Sequence, residues 1–297
     1  MHRSGFVNII GKPNVGKSTL LNALVGERMS IITNKPQTTR HRLIGILSHD
    51  DYQIVFSDTP GYVENPAYKM HEAMNRYVSS TFEDADIMLF VTEPAERYST
   101  DDPLFDRLRE IEAPLFLVIN KIDLTTPQEL EFLAGWWQER VPFKETVSIC
   151  ALQRINTDIL LSRILQYLPE GPEYYPKDQL TDRPERFFVA EIIREKLLTL
   201  YEQEIPYSCE VAIEDFKDTT TSSGEPLARI SAIIFVNRKT QKPILIGKNG
   251  SAMKKLGMES RKAIEIFLDR KVFLELHVKV KENWRNDDYT LRQFGYQ

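Results

Sequence analysis

Along the first 170 residues, short apolar runs rich in β-branched side chains alternate with segments of helical periodicity. Strand-like runs fall at 6–10, 43–47, 52–56, 87–91, 115–119 and 146–149. Helical patterns start at Lys17 and cover 72–82, 103–111, 128–140 and 157–168. Strands separated by helices predict an α/β unit whose mostly parallel six-stranded sheet is covered on both faces. In such a sheet, ligands bind beyond the carboxyl ends of the strands. Chemistry-bearing residues are therefore expected directly after the apolar runs.

Pro169, Pro172, Pro176 and Pro184 interrupt this alternation, and beyond them the pattern changes. A helix is predicted over 187–200, carrying Phe188, Ile192, Leu197 and Leu200, followed by strands at 208–216 and 229–236. A basic helix over 251–268 and a strand over 272–280 complete an α+β unit. The expected division is 1–170, a Pro-rich linker at 171–185, and 186–297. Ile244, Ile246, Trp284 and Phe294 are expected in a core or on a groove floor.

The chain has 297 residues, 42% of them hydrophobic, and a formal charge of −5, which suits two globular domains rather than a disordered chain. Cys150 and Cys209 cannot make a disulfide framework, and the five histidines do not join them at zinc-ligand spacing. The apolar run after Met1 is too short for a signal peptide, and no stretch reaches the roughly 18 apolar residues of a spanning helix. A cytoplasmic location is expected. Charge is divided unequally: residues 1–185 carry 19 basic and 27 acidic side chains, the remainder 19 and 16. Arg238, Lys239, Lys242, Lys248, Lys254, Lys255, Arg261, Lys262, Arg270 and Lys271 face only Glu259, Glu265 and Asp269 in one window. Such a run is either a solvated face or a surface for a polyanion, RNA or anionic lipid.

Three motifs follow three strands. Gly11-Lys12-Pro13-Asn14-Val15-Gly16-Lys17-Ser18-Thr19 fits a phosphate loop, in which backbone N–H groups surround a phosphate at a helix N-terminus. Lys17 would bridge the outer phosphates, and Ser18 would bind Mg²⁺. Asp58-Thr59-Pro60-Gly61 offers a carboxylate to hold Mg²⁺ through water and a glycine N–H for the terminal phosphate. Asn120-Lys121-Ile122-Asp123 selects the base, because the Asp123 carboxylate pairs with N1–H and the 2-amino group of guanine, whereas adenine would leave it unpaired. Asn120 can reach the phosphate loop or base N7, and the Lys121 stem can cover the ring. The polar run 34–42 is the leading switch candidate, with Thr38 or Thr39 as its Mg²⁺ ligand and Thr39 favoured.

These residues resemble those of translation-factor-like GTPases. Lys35-Pro36-Gln37-Thr38-Thr39-Arg40-His41-Arg42, Asp58-Thr59-Pro60-Gly61 and the run Arg186-Phe187-Phe188-Val189-Ala190-Glu191-Ile192-Ile193-Arg194-Glu195-Lys196 narrow the resemblance to the Era family. It implies a GTP-hydrolysing P-loop domain followed by a type II KH domain that binds single-stranded ribosomal RNA near the 3′ end of 16S rRNA during 30S assembly. It further implies GTP/GDP and Mg²⁺ as ligands, Lys17, Thr39 and Gly61 as catalytic groups, K⁺ near Asn14 as an additional cation, a monomer, and peripheral contact with the inner membrane. Gly247-Lys248-Asn249-Gly250, between two helices, is the expected RNA-backbone loop, with Ile246, Lys254, Lys255 and Arg261 beside it.

Two departures stand out. The guanine-contacting loop reads Cys150-Ala151 where the family usually has Ser-Ala, with a backbone N–H there expected to reach guanine O6. Tyr62 follows Gly61, where the best-known small GTPases place a water-orienting glutamine, and a phenol of pKa about 10 is a poor general base. Slow intrinsic turnover is the expectation. The competing readings are an RNA-binding adaptor with a vestigial nucleotide site, or a GTPase serving RNA modification or membrane transport.

Overall fold

The computed structural model describes residues 2–63, 65–82, 84–99 and 102–296. The chain forms two compact units. One comprises Met1–Ile32, Thr39–Glu64 and Met74–Asp182; the other comprises Thr33–Thr38, Asn65–Ala73 and Arg183–Gln297.

In the first unit β1 (Arg3–Ile10), α1 (Lys17–Val25), β2 (Leu43–Ser48), β3 (Tyr52–Asp58), α2 (Lys69–Ser80), β4 (Ile87–Thr92), α3 (Leu104–Arg109), β5 (Leu115–Ile119), α4 (Pro127–Gln138), β6 (Glu145–Ser148) and α5 (Thr157–Tyr167) follow in order. The first turn of α2 lies in the segment that clusters with the second unit. The six strands form one sheet in the order β2-β3-β1-β4-β5-β6. All neighbours are parallel except β2 and β3, which pair antiparallel. Every residue of β4 and β5 is buried, as a strand covered on both faces requires. Trp137 is fully buried, with ring centroids 4.9 Å from Phe90 and Tyr98 and 5.6 Å from Phe105, so α3 and α4 are packed onto the sheet by an aromatic cluster. Thr126 caps α4 through a reciprocal bond with Glu129, and Pro127 occupies its first turn.

The proline-rich segment expected to be a linker is held along the β2 edge as far as Asp182. The fully buried Gln53 side chain accepts from the N–H groups of Tyr174 (2.7 Å) and Tyr175 (2.9 Å) and donates to the Tyr175 carbonyl (2.7 Å) and Ser48 Oγ (3.0 Å). Ile46 N–H donates to the Leu180 carbonyl at 2.8 Å. The segment thereby covers a sheet edge that would otherwise present open backbone groups.

In the second unit α6 (Glu185–Leu200), α7 (Ile205–Ser208), β7 (Cys209–Thr220), β8 (Pro226–Val236), α8 (Gln241–Ile246), α9 (Ser251–Leu268), β9 (Lys271–Val280) and α10 (Asp288–Gln293) follow. The sheet order is β7-β8-β9, with β7 and β8 antiparallel and β8 and β9 parallel. Val189, Ile193 and Leu197 of α6, Leu245 of α8 and Leu256 and Ile264 of α9 pack with Ile230, Ala232 and Ile234 of β8 into one core. The expected order of helix, two strands, helix, loop, helix and strand is realised. Trp284 is fully buried and donates from its indole N–H to the Ser208 carbonyl at 3.0 Å, with the Phe294 ring 5.5 Å away. Ile244 departs from expectation: it is 57% exposed, because α8 turns Leu245 into the core and leaves its neighbour in solvent. Among the described residues no helix is long and apolar enough to cross a membrane.

Replacing Gln53 with Ala is expected to lower the stability of the first unit by about 2–3 kcal/mol, the loss of several buried hydrogen bonds. Urea denaturation of the full chain measures this, with faster proteolysis within 171–182 as the local sign.

Candidate functional site

The loop after β1 carries two left-handed residues, Asn14 (φ 68°) and Gly16 (φ 96°), which fold the backbone into a concavity leading to α1. A Cβ on Gly16 would lie 2.2 Å from Asn120 Nδ2, so this position is closed to other residues both by conformation and by contact. Lys17 opens α1, 6% exposed, and its ammonium donates to the carbonyls of Gly11 and Lys12, each at 2.9 Å. Burial lowers its pKa to about 8, against the opposite pull of Asp58 and Glu96. Lys12 turns away from the loop: its ammonium donates to the Arg97 carbonyl at 3.0 Å and sits 3.9 Å from the Tyr98 ring centroid. The Val15 side chain is fully buried in the core.

Ser18 Oγ lies 2.9 Å from Thr39 Oγ1 and donates to Asp58 Oδ2 at 2.6 Å; Ser30 Oγ donates to the same oxygen at 3.1 Å. Thr38 is engaged elsewhere, donating to the Lys35 carbonyl at 2.6 Å, with Thr33 Oγ1 also 2.6 Å away. Of the two candidate threonines, only Thr39 has its hydroxyl bonded to Ser18. Asp58 is fully buried, and burial raises its pKa against the pull of Lys17 and the three hydroxyls. Its Oδ1 is buried with no hydrogen-bond partner. Three hard oxygen donors and an unpartnered carboxylate oxygen fit a small dication such as Mg²⁺. Thr59 Oγ1 donates to the Ile9 carbonyl at 3.2 Å; Thr59 and Pro60 are buried, while Gly61 is partly open. Tyr62 is 44% exposed, its ring 5.5 Å from the Arg107 guanidinium.

Asn120, 3% exposed, donates to the Val15 carbonyl at 2.8 Å and accepts from the Ala151 N–H at 3.0 Å. It fastens the phosphate loop to the loop after β6. The Ala151 N–H, a candidate for guanine O6, is thus taken by Asn120. Lys121, in a left-handed turn (φ 62°), donates to the Asn14 carbonyl at 2.8 Å and pairs with Glu93 at 2.6 Å. Asp123 faces solvent from the short turn Ile122–Leu124. Cys150 is buried, and burial, together with the nearby Asp123 carboxylate, raises the thiol's pKa.

In the second unit, Gly247 (φ 74°) and Gly250 (φ 76°) bracket the exposed Lys248 and Asn249. A groove of about 660 Å³ lies beside this loop, lined by Ile246, Gly250, Met253, Leu276, His277 and Lys279 among others. Ile246 and Gly250 were expected there; Met253 and the β9 residues were not, because only the fold brings β9 beside α9. Lys254 and Lys255 are exposed on the first turns of α9. Arg261 stands about 10 Å farther along the helix. It lines a separate concavity with Lys271 and Phe273.

A parallel sheet with a phosphate loop and an Asn-Lys-x-Asp base loop, joined to an α+β unit with a Gly-x-x-Gly groove, defines a P-loop GTPase with a KH domain. The model of the 50S ribosome-binding GTPase family matches residues 6–121, and that of the KH domain matches residues 204–285. GTPase Era of Lactobacillus helveticus is 46% identical over 294 residues, covering 99% of this chain and 96% of its own. The solved structure of Era in complex with MgGDPNP and nucleotides 1506–1542 of 16S ribosomal RNA is 38% identical, with a TM-score of 0.93 over 100% of this chain and 99% of that one. An Aquifex aeolicus Era variant bound to GDP·AlF4⁻ is also 38% identical, with a TM-score of 0.92 and 99% coverage of both chains. The chain belongs to the Era family of GTPases.

With the Lys17 pKa near 8, a bound polyanion raises it and draws in a proton. At pH 8, nucleotide binding should take up about half a proton, read by calorimetry in buffers of different ionisation enthalpy. Uptake should vanish near pH 6.5, where the ammonium is already protonated, and in Lys17→Arg.

Proposed function

We propose that this protein is a GTP-hydrolysing switch that binds single-stranded RNA at the 3′ end of 16S rRNA and serves assembly of the small ribosomal subunit. The meeting of Ser18, Thr39 and Asp58 beside the buried Lys17 carries the reading. A solved relative that carries MgGDPNP and that segment of 16S RNA supports the choice of ligands.

Lys17 holds the β and γ phosphates by its ammonium, and the N–H groups of the phosphate loop at Gly11, Lys12, Pro13, Asn14, Val15, Gly16, Ser18 and Thr19 enclose them where each residue has one. Ser18, Thr39 and Asp58 would hold Mg²⁺, whose charge would offset that of the phosphates. Thr39 and Gly61 offer their N–H groups to the γ-phosphate, so its departure removes the reason for both loops to stay in place. Asp123 accepts from N1–H and the 2-amino group of guanine. Tyr62 follows Gly61 where a glutamine would orient the attacking water, and a phenol is a poor general base at neutral pH. Turnover by the chain alone is accordingly slow.

In the KH groove, unstacked bases lie against Ile246, Met253 and Leu276, while Lys248, Lys254 and Lys255 meet the phosphates beside the Gly247 and Gly250 turns. The groove is too small to take a duplex, so single-stranded RNA is preferred.

Asp123→Asn should lose GTP affinity by at least about a hundredfold and gain affinity for xanthosine triphosphate, whose 2-oxo group accepts from the new amide. Competition binding with both nucleotides checks this; equal retention of GTP sinks the base-selection reading. Lys248→Glu should weaken binding of a labelled single-stranded RNA by about tenfold at moderate salt, with GTP affinity unchanged. Loss of both ligands together would contradict separate sites.

A further inference from the structure

The first switch segment has an anchor that nucleotide chemistry does not account for. Thr33–Thr38 clusters with the second unit, where α6 grips it at two points. Lys35 Nζ donates to the Tyr201 carbonyl at 2.5 Å, at the end of α6, where unpaired carbonyls and the helix dipole favour a cation. Farther back along the helix, Arg194 is 1% exposed; its Nη2 donates to the Thr38 carbonyl and its Nη1 to the Gln37 carbonyl at 3.4 Å. Glu191 holds the guanidinium from the other side, with Nε to Oε1 at 2.8 Å and Nη2 to Oε2 at 2.5 Å. Burial works against the charge, yet Glu191, with Glu210 farther away, outweighs it and keeps the guanidinium protonated. Glu210 is itself buried and accepts from the Tyr296 hydroxyl at 2.7 Å.

Burying an arginine costs several kcal/mol unless every donor is directed at a partner. Here the fork is aimed at two consecutive backbone carbonyls of a loop, the last two before Thr39. The segment is also closed internally, with Lys35 N–H donating to Thr33 Oγ1 at 3.1 Å and the Thr38 hydroxyl to the Lys35 carbonyl at 2.6 Å. The Thr38 carbonyl and the Thr39 N–H belong to one planar trans peptide, so a bond that fixes the carbonyl fixes the N–H in the opposite direction. We propose that Arg194 is a positioning residue for GTP recognition: by holding the Thr38 carbonyl it aims the Thr39 N–H and hydroxyl at the γ-phosphate side of the site, beside Ser18. This rests on Thr39 being the γ-phosphate-sensing residue. GDP has no group for Thr39 to meet, so the effect of Arg194 is confined to the triphosphate state.

The experiment measures affinities of the full-length chain for fluorescent GDPNP and GDP in the presence of Mg²⁺, for wild type, Arg194→Met, Arg194→Lys and Thr39→Ala. Arg194→Met is expected to lose about tenfold for GDPNP and less than twofold for GDP. Arg194→Lys should lie between, because one ammonium cannot hold two carbonyls as the fork does. It also carries the test if the methionine variant fails to fold. Equal losses for both nucleotides, accompanied by a lower melting temperature, would reduce Arg194 to a structural role and overturn the inference; so would unchanged affinities. If Thr39→Ala keeps full preference for GDPNP, the reading of Thr39 itself fails. If Thr39→Ala abolishes that preference while Arg194→Met retains it, only the role of Arg194 falls.

Discussion

A buried ammonium and a buried carboxylate in one loop cluster set the terms for the first unit. Lys17 is 6% exposed and satisfied by two backbone carbonyls, while fully buried Asp58 keeps one oxygen with no protein partner. Charges so placed destabilise a fold unless something of opposite sign completes them. The sheet tolerates them because they lie at strand ends, where the loops gather and backbone donors and hydroxyls converge. The buried ammonium suits a phosphate chain, and the unpartnered Asp58 oxygen suits a small dication.

Around that centre the loops are tied to one another by side chains. Asn120 links the phosphate loop to the loop after β6, and Lys121 reaches the Asn14 carbonyl. Base selection and phosphate binding consequently share one hydrogen-bonded frame. Asn120 sits so close to the phosphate loop that a Cβ on Gly16 would lie 2.2 Å from its amide nitrogen. The second unit solves a different problem with the same economy of parts. Its three strands and the helices α6, α8 and α9 close one apolar core, leaving the glycine turn between α8 and α9 open for a nucleic-acid backbone.

Much of this was legible in the chain. Alternation of apolar runs and helical periods predicted every strand of the larger sheet, because a strand buried on both faces has little freedom in composition. The phosphate loop and the base loop could be read because their chemistry sits in contiguous residues after a strand. Short elements such as α7 and α10 are too brief for a period to emerge, and Ile244, expected in a core or on a groove floor, lies in solvent while its neighbour Leu245 packs.

The residue order alone determined the strand and helix succession and set the phosphate-loop and Asn120-Lys121-Ile122-Asp123 motifs directly after strands. Tertiary structure decided which adjacent threonine meets Ser18, that Gln53 binds the proline-rich segment to a sheet edge, that β9 walls the groove beside α9, and that Arg194 grips the peptide before Thr39. The division has a physical cause. Motifs of consecutive residues carry their geometry in local backbone conformation, whereas a side chain that acts across 150 positions of sequence acquires its partner only when packing brings the two segments within hydrogen-bond distance.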